Sequence, residues 1–239
     1  MTPQEIVSAF QKVRATHVYH ITHIDNLGSI FTHGLLPNSS VKDRKIRYRD
    51  IAEPGVQDRR SQVEVRASAD GTERSGIAFN LHGLAPLYFN PRNAMTFLRG
   101  FEGYPICMIE CPIAKLIDGK RRFFFSDGNM ASAATRHFCD LKYINEVKWP
   151  VVFGSSWTSE SGASDPELKR VMCAELNMAP EVPNSSIDKI FVAGKQSRTR
   201  ALRYTASSPE TTSVEIRPQL FFQFADKIDH AVGDLPKIS

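Results

Sequence analysis

The stretch Arg170-Val171-Met172-Cys173-Ala174-Glu175-Leu176 places one carboxylate among apolar side chains. It follows a polar run over residues 155–169 and is itself followed by Ala179-Pro180-Glu181-Val182-Pro183. The apolar neighbours predict a short buried element, which we assign to a strand over residues 171–178. A buried carboxylate is costly unless it is paired or has a chemical role. The residues alone leave two interpretations of Glu175 open: a functional acid, or a single acid on the solvent face of a strand.

Length and composition indicate a folded chain. The 239 residues are 41% hydrophobic and include 15 phenylalanines, which is enough to bury a sizeable core. We expect one domain over residues 1–232 and a frayed tail over 233–239. No apolar run approaches the ~20 residues of a membrane-spanning helix. The first residues also lack the basic start and apolar run of a signal peptide, so we expect a cytoplasmic protein with no membrane partner.

The histidines and cysteines give little support for a metal site. His17, His20 and His23 are three residues apart, but such residues point to opposite faces of a strand. The four cysteines show no paired CxxC spacing. We therefore expect buried free thiols and no bound metal, with a zinc site on the histidines as a distant alternative.

Basic residues are clustered although the net charge is only +4. Three groups stand out: Lys42, Arg44, Lys45, Arg47, Arg49, Arg59, Arg60 and Arg66; Lys115, Lys120, Arg121 and Arg122; and Lys195, Arg198, Arg200 and Arg203. Such groups can neutralise phosphates of a nucleic acid or a phosphorylated cofactor. Each group taken alone is also compatible with a solvated face that keeps the protein soluble.

The pattern of apolar residues predicts an α+β fold. Strands and long helices do not alternate regularly and no internal repeat occurs, so we expect mostly antiparallel pairing. Asp25 is the predicted cap of the second helix, and Thr2 with Glu5 forms a capping box for the first. The polar segment 37–74 is long for an inert loop and is therefore expected to be functional. The predicted helices cover residues 2–14, 26–32, 56–62, 94–99 and 132–141, and the predicted strands cover 18–22, 85–90, 105–111, 123–125, 171–178, 187–193 and 214–217.

The usual phosphate-binding signatures are missing. The sequence contains no GxGxxG, no GxxxxGK and no GxSxG. An enzyme that consumes NAD, instead of transferring a hydride, does not need these signatures. It needs a cleft for nicotinamide and a carboxylate beside the ribose, because positive charge develops there as the glycosidic bond breaks. Glu175 is the candidate for that carboxylate.

Four blocks of the sequence resemble the DarT family of DNA ADP-ribosyltransferases, the toxin half of a toxin-antitoxin pair. They occur in family order and at family spacing over about residues 17–195. The blocks are Tyr19-His20-Ile21-Thr22-His23-Ile24-Asp25-Asn26-Leu27 with Gly34-Leu35; Ile51-Ala52-Glu53-Pro54-Gly55-Val56-Gln57-Asp58-Arg59-Arg60 with Pro86-Leu87-Tyr88-Phe89-Asn90-Pro91-Arg92-Asn93-Ala94-Met95; Phe125-Ser126-Asp127-Gly128-Asn129-Met130-Ala131 with Asp140-Leu141 and Lys148-Trp149-Pro150; and Ala174-Glu175.

The resemblance implies the ADP-ribosyltransferase fold, with two small packed, mostly antiparallel sheets, an NAD cleft between them and flanking helices. It implies that Glu175 and Arg60 are catalytic. The NAD-binding residues that it implies are His20, Thr22, Asn26, Tyr88 and Arg59. Tyr88 would stack on nicotinamide, although a buried strand tyrosine fits the pattern equally well. The implied reaction transfers ADP-ribose from NAD to a base of single-stranded DNA and releases nicotinamide.

The resemblance also implies a DNA-binding surface and a partner protein. We expect Trp157, Arg92 and Arg170 to contact DNA; the alternative for Trp157 is that it anchors its loop to the body of the protein. Residues 63–77 and His82-Gly83-Leu84 depart from the family pattern, which favours guanine slightly over thymine as the modified base. A macrodomain-type antitoxin is the expected cognate partner.

Two other classes of function remain open on the sequence. One is a mono-ADP-ribosyltransferase that acts on RNA or protein. The other is a non-catalytic nucleic-acid-binding module, whose binding would depend on salt but not on Glu175 or NAD. The enzyme is favoured because a binding module gives no reason for a lone carboxylate in an apolar strand.

Overall fold

The structure is a computed structural model that describes residues 1–67, 77–159, 161–205 and 212–236. The α-helices are α1 Pro3–Lys12, α2 Leu27–His33, α3 Asn38–Asp43, α4 Pro54–Gln62, α5 Ala94–Glu102, α6 Ile113–Leu116, α7 Trp149–Val152, α8 Pro166–Val171, α9 Lys195–Thr205 and α10 Ala225–Gly233. The strands are β1 His17–His23, β2 Glu64–Ala67, β3 Ile77–Asn80, β4 Ala85–Tyr88, β5 Ile106–Pro112, β6 Arg122–Ser126, β7 His137–Phe138, β8 Glu175–Ala179, β9 Lys189–Val192 and β10 Ser213–Ile216.

Eight strands form one mostly antiparallel sheet in the order β10-β9-β5-β1-β4-β8-β6-β7, and β2 and β3 form a small second sheet. Within the described residues the β9–β10 pair is parallel and the other pairs are antiparallel. The α+β class and the antiparallel pairing are therefore confirmed. The strands expected as two small sheets are hydrogen-bonded into one large sheet with a small one beside it. Both central strands, β1 and β4, carry predicted site residues.

The first helix shows how closely local sequence fixes local structure. Thr2 caps α1 with the predicted capping box, in which Thr2 and Glu5 exchange hydrogen bonds. Phe10 is fully buried and packs edge to face against Phe125 of β6, with ring centroids 5.8 Å apart. The helix is thus an outer layer whose apolar face covers the sheet.

Three sequence predictions are wrong in detail. Residues 171–178 are not one strand, because Asp165 caps α8 and the strand begins only at Glu175. Residues 132–141 are not a helix but turns and the two-residue strand β7. Asp25 does not cap α2; its carboxylate instead pairs with Arg200 at 2.6 Å. Helices α9 and α10 were not predicted from the sequence.

The remaining expectations concern thiols, the tail and the membrane. Cys107, Cys111 and Cys173 are buried free thiols, and Cys139 is half-buried. The domain limits stay a prediction: α10 ends at Gly233, inside the expected tail, and residues 237–239 lie outside the described residues. In the described part of the chain, no helix has both the length and the apolar character needed to cross a membrane.

Candidate active site

The predicted carboxylate lies at the centre of a buried hydrogen-bonded cluster. Glu175 is 0% exposed, and its Oε2 accepts hydrogen bonds from Arg60 Nη1 at 3.0 Å and from Asn177 Nδ2 at 3.1 Å. Its Oε1 accepts the backbone N–H of Met130 at 2.9 Å. Arg60 Nη2 donates to Asn177 Oδ1 at 3.1 Å. Three donors therefore hold the carboxylate, and its complete burial excludes the interpretation of Glu175 as an acid on a solvent face.

Three separate parts of the chain supply this cluster. Strand β8 carries Glu175 and Asn177 two residues apart, so both side chains lie on one face of the sheet. Helix α4 begins at Pro54 with Glu53 as its cap and supplies Arg60 from its last turn. The turn after β6 supplies the Met130 N–H, and the Ser126 hydroxyl accepts the backbone N–H of Glu175 at 3.0 Å.

The ion pair between Arg60 and Glu175 is almost fully excluded from water, with side-chain exposures of 7% and 0%. Burial alone lowers the pKa of the Arg60 guanidinium, but the negative charge of Glu175 outweighs it, and the net effect is a raised pKa. Arg60 is therefore a permanent cation. Removing either partner would leave the other charge buried without compensation.

A cavity of about 580 Å³ opens beside the cluster. Its walls come from β1, α2, the segment 36–53, α4, β4 and α5. Arg60 lines it, whereas Glu175 lies behind Arg60 and is not part of the wall. The predicted residues among its lining are His20, Thr22, Asn26, Arg59, Arg60 and Tyr88. The polar segment 37–74 thus contributes a wall of the cavity over its described part, as its length suggested.

His20 presents a defined hydrogen-bonding surface to the cavity. Its Nδ1 lies 3.0 Å from the carbonyl oxygen of Pro86, which can only accept, so Nδ1 carries a proton. Burial lowers the pKa of His20 to about 4. The ring is therefore neutral at pH 7, and its Nε2 is a hydrogen-bond acceptor, suited to a ribose hydroxyl.

Thr22 and Asn26 hold one wall of the cavity in place. Asn26 Nδ2 donates to Thr22 Oγ1 at 3.0 Å and to the carbonyl oxygen of Arg49 at 2.9 Å. The backbone N–H of Arg49 donates to Asn26 Oδ1 at 2.7 Å. Both side chains line the cavity, and Asn26 also fixes the backbone of the segment opposite β1.

Tyr88 lies next to the carboxylate cluster. It is directly opposite Glu175 in the β4–β8 register and is half-buried in the cavity wall. Its hydroxyl lies 3.7 Å from Met95 Sδ, and burial raises its pKa, so the phenol stays neutral. An uncharged aromatic ring at this position suits stacking on a nicotinamide ring.

The residues expected to contact DNA fall outside this cluster. Trp157 packs edge to face on Phe97 at 5.4 Å and close to Phe222 at 5.8 Å, which matches a loop anchor. Arg92 lies over the Phe222 ring at 4.2 Å and donates to the carbonyl oxygen of Gln219. Neither residue is part of the cavity wall.

Arg170 and Arg59 differ sharply in their surroundings. Arg170 binds Asp127 at 3.1 Å, Thr135 at 3.0 Å and Glu167 at 2.8 Å, so its hydrogen bonds are made within the chain. Arg59 is exposed at the cavity and makes no hydrogen bond or ion pair with any described residue. Arg59 is therefore the better placed of the two for a phosphate.

The three histidines of β1 have separate surroundings. His17 Nδ1 lies 2.9 Å from Thr16 Oγ1, and His23 Nδ1 accepts the backbone N–H of Asp25 at 3.1 Å. His20 Nδ1 is bound to Pro86. Among the residues that the structure describes, no group of three or more His, Cys, Asp or Glu side chains could hold a metal ion.

Two members of the cluster were missed by sequence reasoning. Asn177 could have been found from its spacing, because it follows Glu175 by two residues in a strand. The Met130 N–H could not, because no side-chain pattern marks a backbone donor. Lys169 and Asn129, which also line the cavity, had no distinguishing signal in the sequence.

The mostly antiparallel central sheet, with a cavity beside a buried ion pair, fits the ADP-ribosyltransferase class that the resemblance implied. A family model described as "ssDNA thymidine ADP-ribosyltransferase, DarT" matches residues 19–222. The chain belongs to the DarT family, and it is an NAD-dependent DNA ADP-ribosyltransferase.

Individual relatives agree with this assignment. The chain is 28% identical over 202 residues to a DNA ADP-ribosyl transferase of Thermus sp. (strain 2.9), covering 82% of this chain and 90% of the relative. It is 27% identical over 187 residues to a DNA ADP-ribosyl transferase–DNA ADP-ribosyl glycohydrolase fusion protein of Thermosipho africanus, covering 75% of this chain and 43% of the fusion.

Solved structures share the fold. The structure of Thermus sp. 2.9 DarT in complex with ADP-ribosylated ssDNA superposes with a TM-score of 0.74 at 24% identity, covering 87% of this chain and 97% of that one. The same protein in complex with NAD+ gives a TM-score of 0.71 at 22% identity, with 87% and 98% covered.

Proposed function

We propose that this enzyme transfers ADP-ribose from NAD to a thymine base of single-stranded DNA, with Glu175 and Arg60 as its catalytic residues. The observation that carries the assignment of the residues is the buried ion pair between Arg60, which lines the cavity, and Glu175 behind it, with a 3.0 Å contact. His20 and Tyr88 line the same cavity and would bind the nicotinamide ribose and the nicotinamide ring.

The chemistry follows from the charges. The bond between the anomeric carbon and the nicotinamide nitrogen breaks, and its electron pair leaves with nicotinamide. The ribose then carries positive charge, which a fixed carboxylate in a dry site stabilises without having to reorganise. Because Glu175 is held by three donors, it is already oriented before the bond breaks. A nitrogen of the target base attacks the anomeric carbon from the opposite side.

Arg60 would stabilise the acceptor base as it loses its proton. A ring nitrogen of thymine must lose its proton as it forms the new bond, so negative charge develops on the base. The raised pKa of Arg60 makes it a poor proton acceptor, so its contribution is electrostatic: a permanent cation that stabilises the deprotonated base. Arg59, exposed at the same cavity, would neutralise a phosphate of NAD or DNA.

Thymine is proposed because the family model that covers residues 19–222 is described as thymidine-directed. The expectation of guanine rested on two divergent segments. Part of the first, residues 68–76, lies outside the described residues. In the second, Leu84 is buried and His82 Nε2 lies 3.1 Å from the carbonyl oxygen of Gln57 on α4. Contact with α4 therefore explains why His82-Gly83-Leu84 departs from the family pattern, and this departure is not evidence for guanine.

Intact-mass spectrometry of oligonucleotides tests this proposal. The purified enzyme and NAD are incubated with four single-stranded oligonucleotides that share one sequence except at a single position, which is T, G, A or C. We expect a single ADP-ribose to be added to the T oligonucleotide, and Glu175→Ala to abolish the addition. Modification of the G oligonucleotide alone would overturn the choice of thymine. Modification of RNA or protein but of no DNA would overturn the DNA acceptor.

We further propose that the enzyme acts as a toxin whose partner removes the modification. The fusion of a transferase with a glycohydrolase in Thermosipho africanus supports a macrodomain-type glycohydrolase as the cognate antitoxin. Expression of the wild-type enzyme is expected to arrest growth of a bacterial host, and co-expression of a DNA ADP-ribosyl glycohydrolase to restore it. Equal growth with wild-type enzyme and with Glu175→Ala would contradict the toxin role.

A further inference from the structure

Asn177 bridges the two catalytic residues. Its Nδ2 donates to Glu175 Oε2 at 3.1 Å, and its Oδ1 accepts from Arg60 Nη2 at 3.1 Å. The side chain is fully buried, so water does not share these bonds. Arg60 thus divides its two terminal nitrogens between the carboxylate and the amide, and the three side chains close a ring of hydrogen bonds.

The amide is the group that this ring requires. One of its atoms must donate to a carboxylate and the other must accept from a guanidinium, and a carboxamide does both without carrying charge. Across the neighbouring strands, Asn177 lies opposite Pro86 and Phe124, whose side chains offer no hydrogen bond. Loss of the amide would leave one donor of Arg60 unpaired and Glu175 with two hydrogen-bond donors instead of three.

We propose that Asn177 is a positioning residue for the transfer reaction: it holds Glu175 and Arg60 in the relative geometry that the reaction needs. The proposal rests on the proposed roles of those two residues. Asn177 does not line the cavity, so it would act on the rate of transfer and not on the binding of NAD.

The variant Asn177→Asp tests this role with almost no change of shape. In its protonated form the new carboxyl group donates to Glu175 and accepts from Arg60, as the amide does. When both carboxyl groups are ionised the donor is lost and two negative charges face one arginine. Two carboxyl groups at this distance share a proton, so the second ionisation of the pair is raised to a higher pH than that of an isolated carboxyl.

We therefore expect kcat of N177D to fall at least tenfold at pH 8 and to recover as the pH is lowered, while KM for NAD changes less than threefold. Wild-type enzyme is followed over the same pH range, because Arg60, Tyr88, Cys173 and His137 also face the cluster. Met178→Leu is the matched control: it is the next residue of β8, its side chain lies in the core on the other face, and its pH profile should follow that of the wild type.

The outcomes separate the two proposals. An N177D profile parallel to that of the wild type, or a loss confined to KM, would overturn the positioning role. Asn177→Ala is measured alongside, with circular dichroism and NAD affinity as checks of folding; if it folds and retains full kcat, the role is likewise overturned. Should the wild type itself transfer no ADP-ribose to DNA in this assay, the proposed function fails first and the role of Asn177 falls with it.

Discussion

At the scale of single residues, the charge of Glu175 is held in place by its environment. Its carboxylate accepts hydrogen bonds from three different groups: a guanidinium, an amide and a backbone N–H. Such preorganisation is what allows a carboxylate to stabilise a cation with little rearrangement. The same feature makes the residue expensive to alter, since Arg60 depends on it for its only buried counter-charge among the described residues.

Glu175→Gln should separate charge from shape. The amide keeps the size of the side chain and an acceptor for Arg60 but removes the negative charge, so we expect the rate of transfer to fall by about 10²–10³-fold. We also expect destabilisation by about 3–5 kcal/mol, because Arg60 remains buried without a counter-ion. Single-turnover transfer and urea unfolding measure the two effects. Glu215→Gln, which alters two exposed ion pairs of a residue that does not line the cavity, is the control and should leave both nearly unchanged.

His20 gives a prediction about pH. Its pKa is lowered from 6.5 to about 4 by burial, so between these values the unfolded chain binds a proton that the folded chain does not. Stability contributed by the neutral ring is therefore complete above about pH 6.5 and is lost progressively as the pH falls towards 4. We expect this loss to reach about 1–2 kcal/mol, because the ring is only half-buried and solvent reduces the effect.

The measurement compares urea unfolding of wild type and His20→Gln from pH 7 to pH 4. Because His23 and His137 also have lowered pKa values, the wild type alone would not isolate His20. As the pH falls, the free energy of unfolding of the wild type should decrease more than that of His20→Gln. A constant difference across the range would show that His20 is not held neutral by folding.

At the scale of elements, the turn 127–131 is held from outside by helix α8. Arg170 of α8 donates to Asp127 and Thr135, and the turn in return presents the Met130 N–H to Glu175. Arg170 thus acts on the carboxylate through the turn. The interpretation of Arg170 as a DNA contact and its interpretation as a structural residue make different predictions.

Arg170→Ala and Arg59→Ala distinguish them through salt dependence. We expect Arg170→Ala to lower the free energy of unfolding by about 1–3 kcal/mol and to reduce kcat, with no change in how DNA affinity depends on salt. Arg59→Ala should leave stability unchanged and reduce the slope of log K against log salt by about 1 if it binds a DNA phosphate. Fluorescence anisotropy with a labelled oligonucleotide measures the slope. A reduced slope for Arg170→Ala would instead support the expectation that Arg170 contacts a DNA phosphate.

The sequence predicted elements best where the signal is local. The capping box of Thr2 and Glu5 identified the start of α1, and the apolar runs identified β1, β4, β5 and β6. The sequence predictions failed where contacts with residues distant in sequence determine the local structure. Asp25 is a residue type that often caps helices, but its carboxylate instead accepts a hydrogen bond from Arg200, 175 residues away. The apolar run after Arg170 continues across a helix end and a strand start, and hydrophobicity alone does not separate them.

At the scale of the whole molecule, the site is assembled from segments that are far apart in sequence. Arg60 and Glu175 are separated by 115 residues. The family resemblance assigned both to the active site, and the structure shows that they are in contact. The resemblance did not include Asn177, and it could not supply the Met130 N–H, because the pairing of β6 with β8 brings that donor to Glu175. It also could not reveal that Trp157 and Arg92 are engaged with Phe222. Long-range packing is the part that a sequence pattern does not encode.

Because the cavity is walled by several elements, ligand binding should stabilise the chain as a whole. Carba-NAD, which keeps the shape of NAD but resists cleavage of the glycosidic bond, is the suitable probe. At about 100 times its Kd it should add about 2.7 kcal/mol and raise Tm by about 5–10 °C. Differential scanning fluorimetry over a range of ligand concentrations measures the shift. A Tm that does not respond would mean that the cavity does not bind the dinucleotide.

Asn26→Ala tests whether the wall formed by segment 36–53 takes part in that stabilisation. Asn26 makes two hydrogen bonds with the backbone of Arg49, at 2.7 and 2.9 Å, and their loss should loosen the segment and reduce the carba-NAD increment by at least half. Asn184→Ala is the matched control, since Asn184 likewise binds a distant backbone carbonyl, that of Phe31 at 2.9 Å, but does not line the cavity. It should lower the starting Tm and retain the full increment. Equal increments in the two variants would mean that dinucleotide binding does not require the segment to be fixed by Asn26.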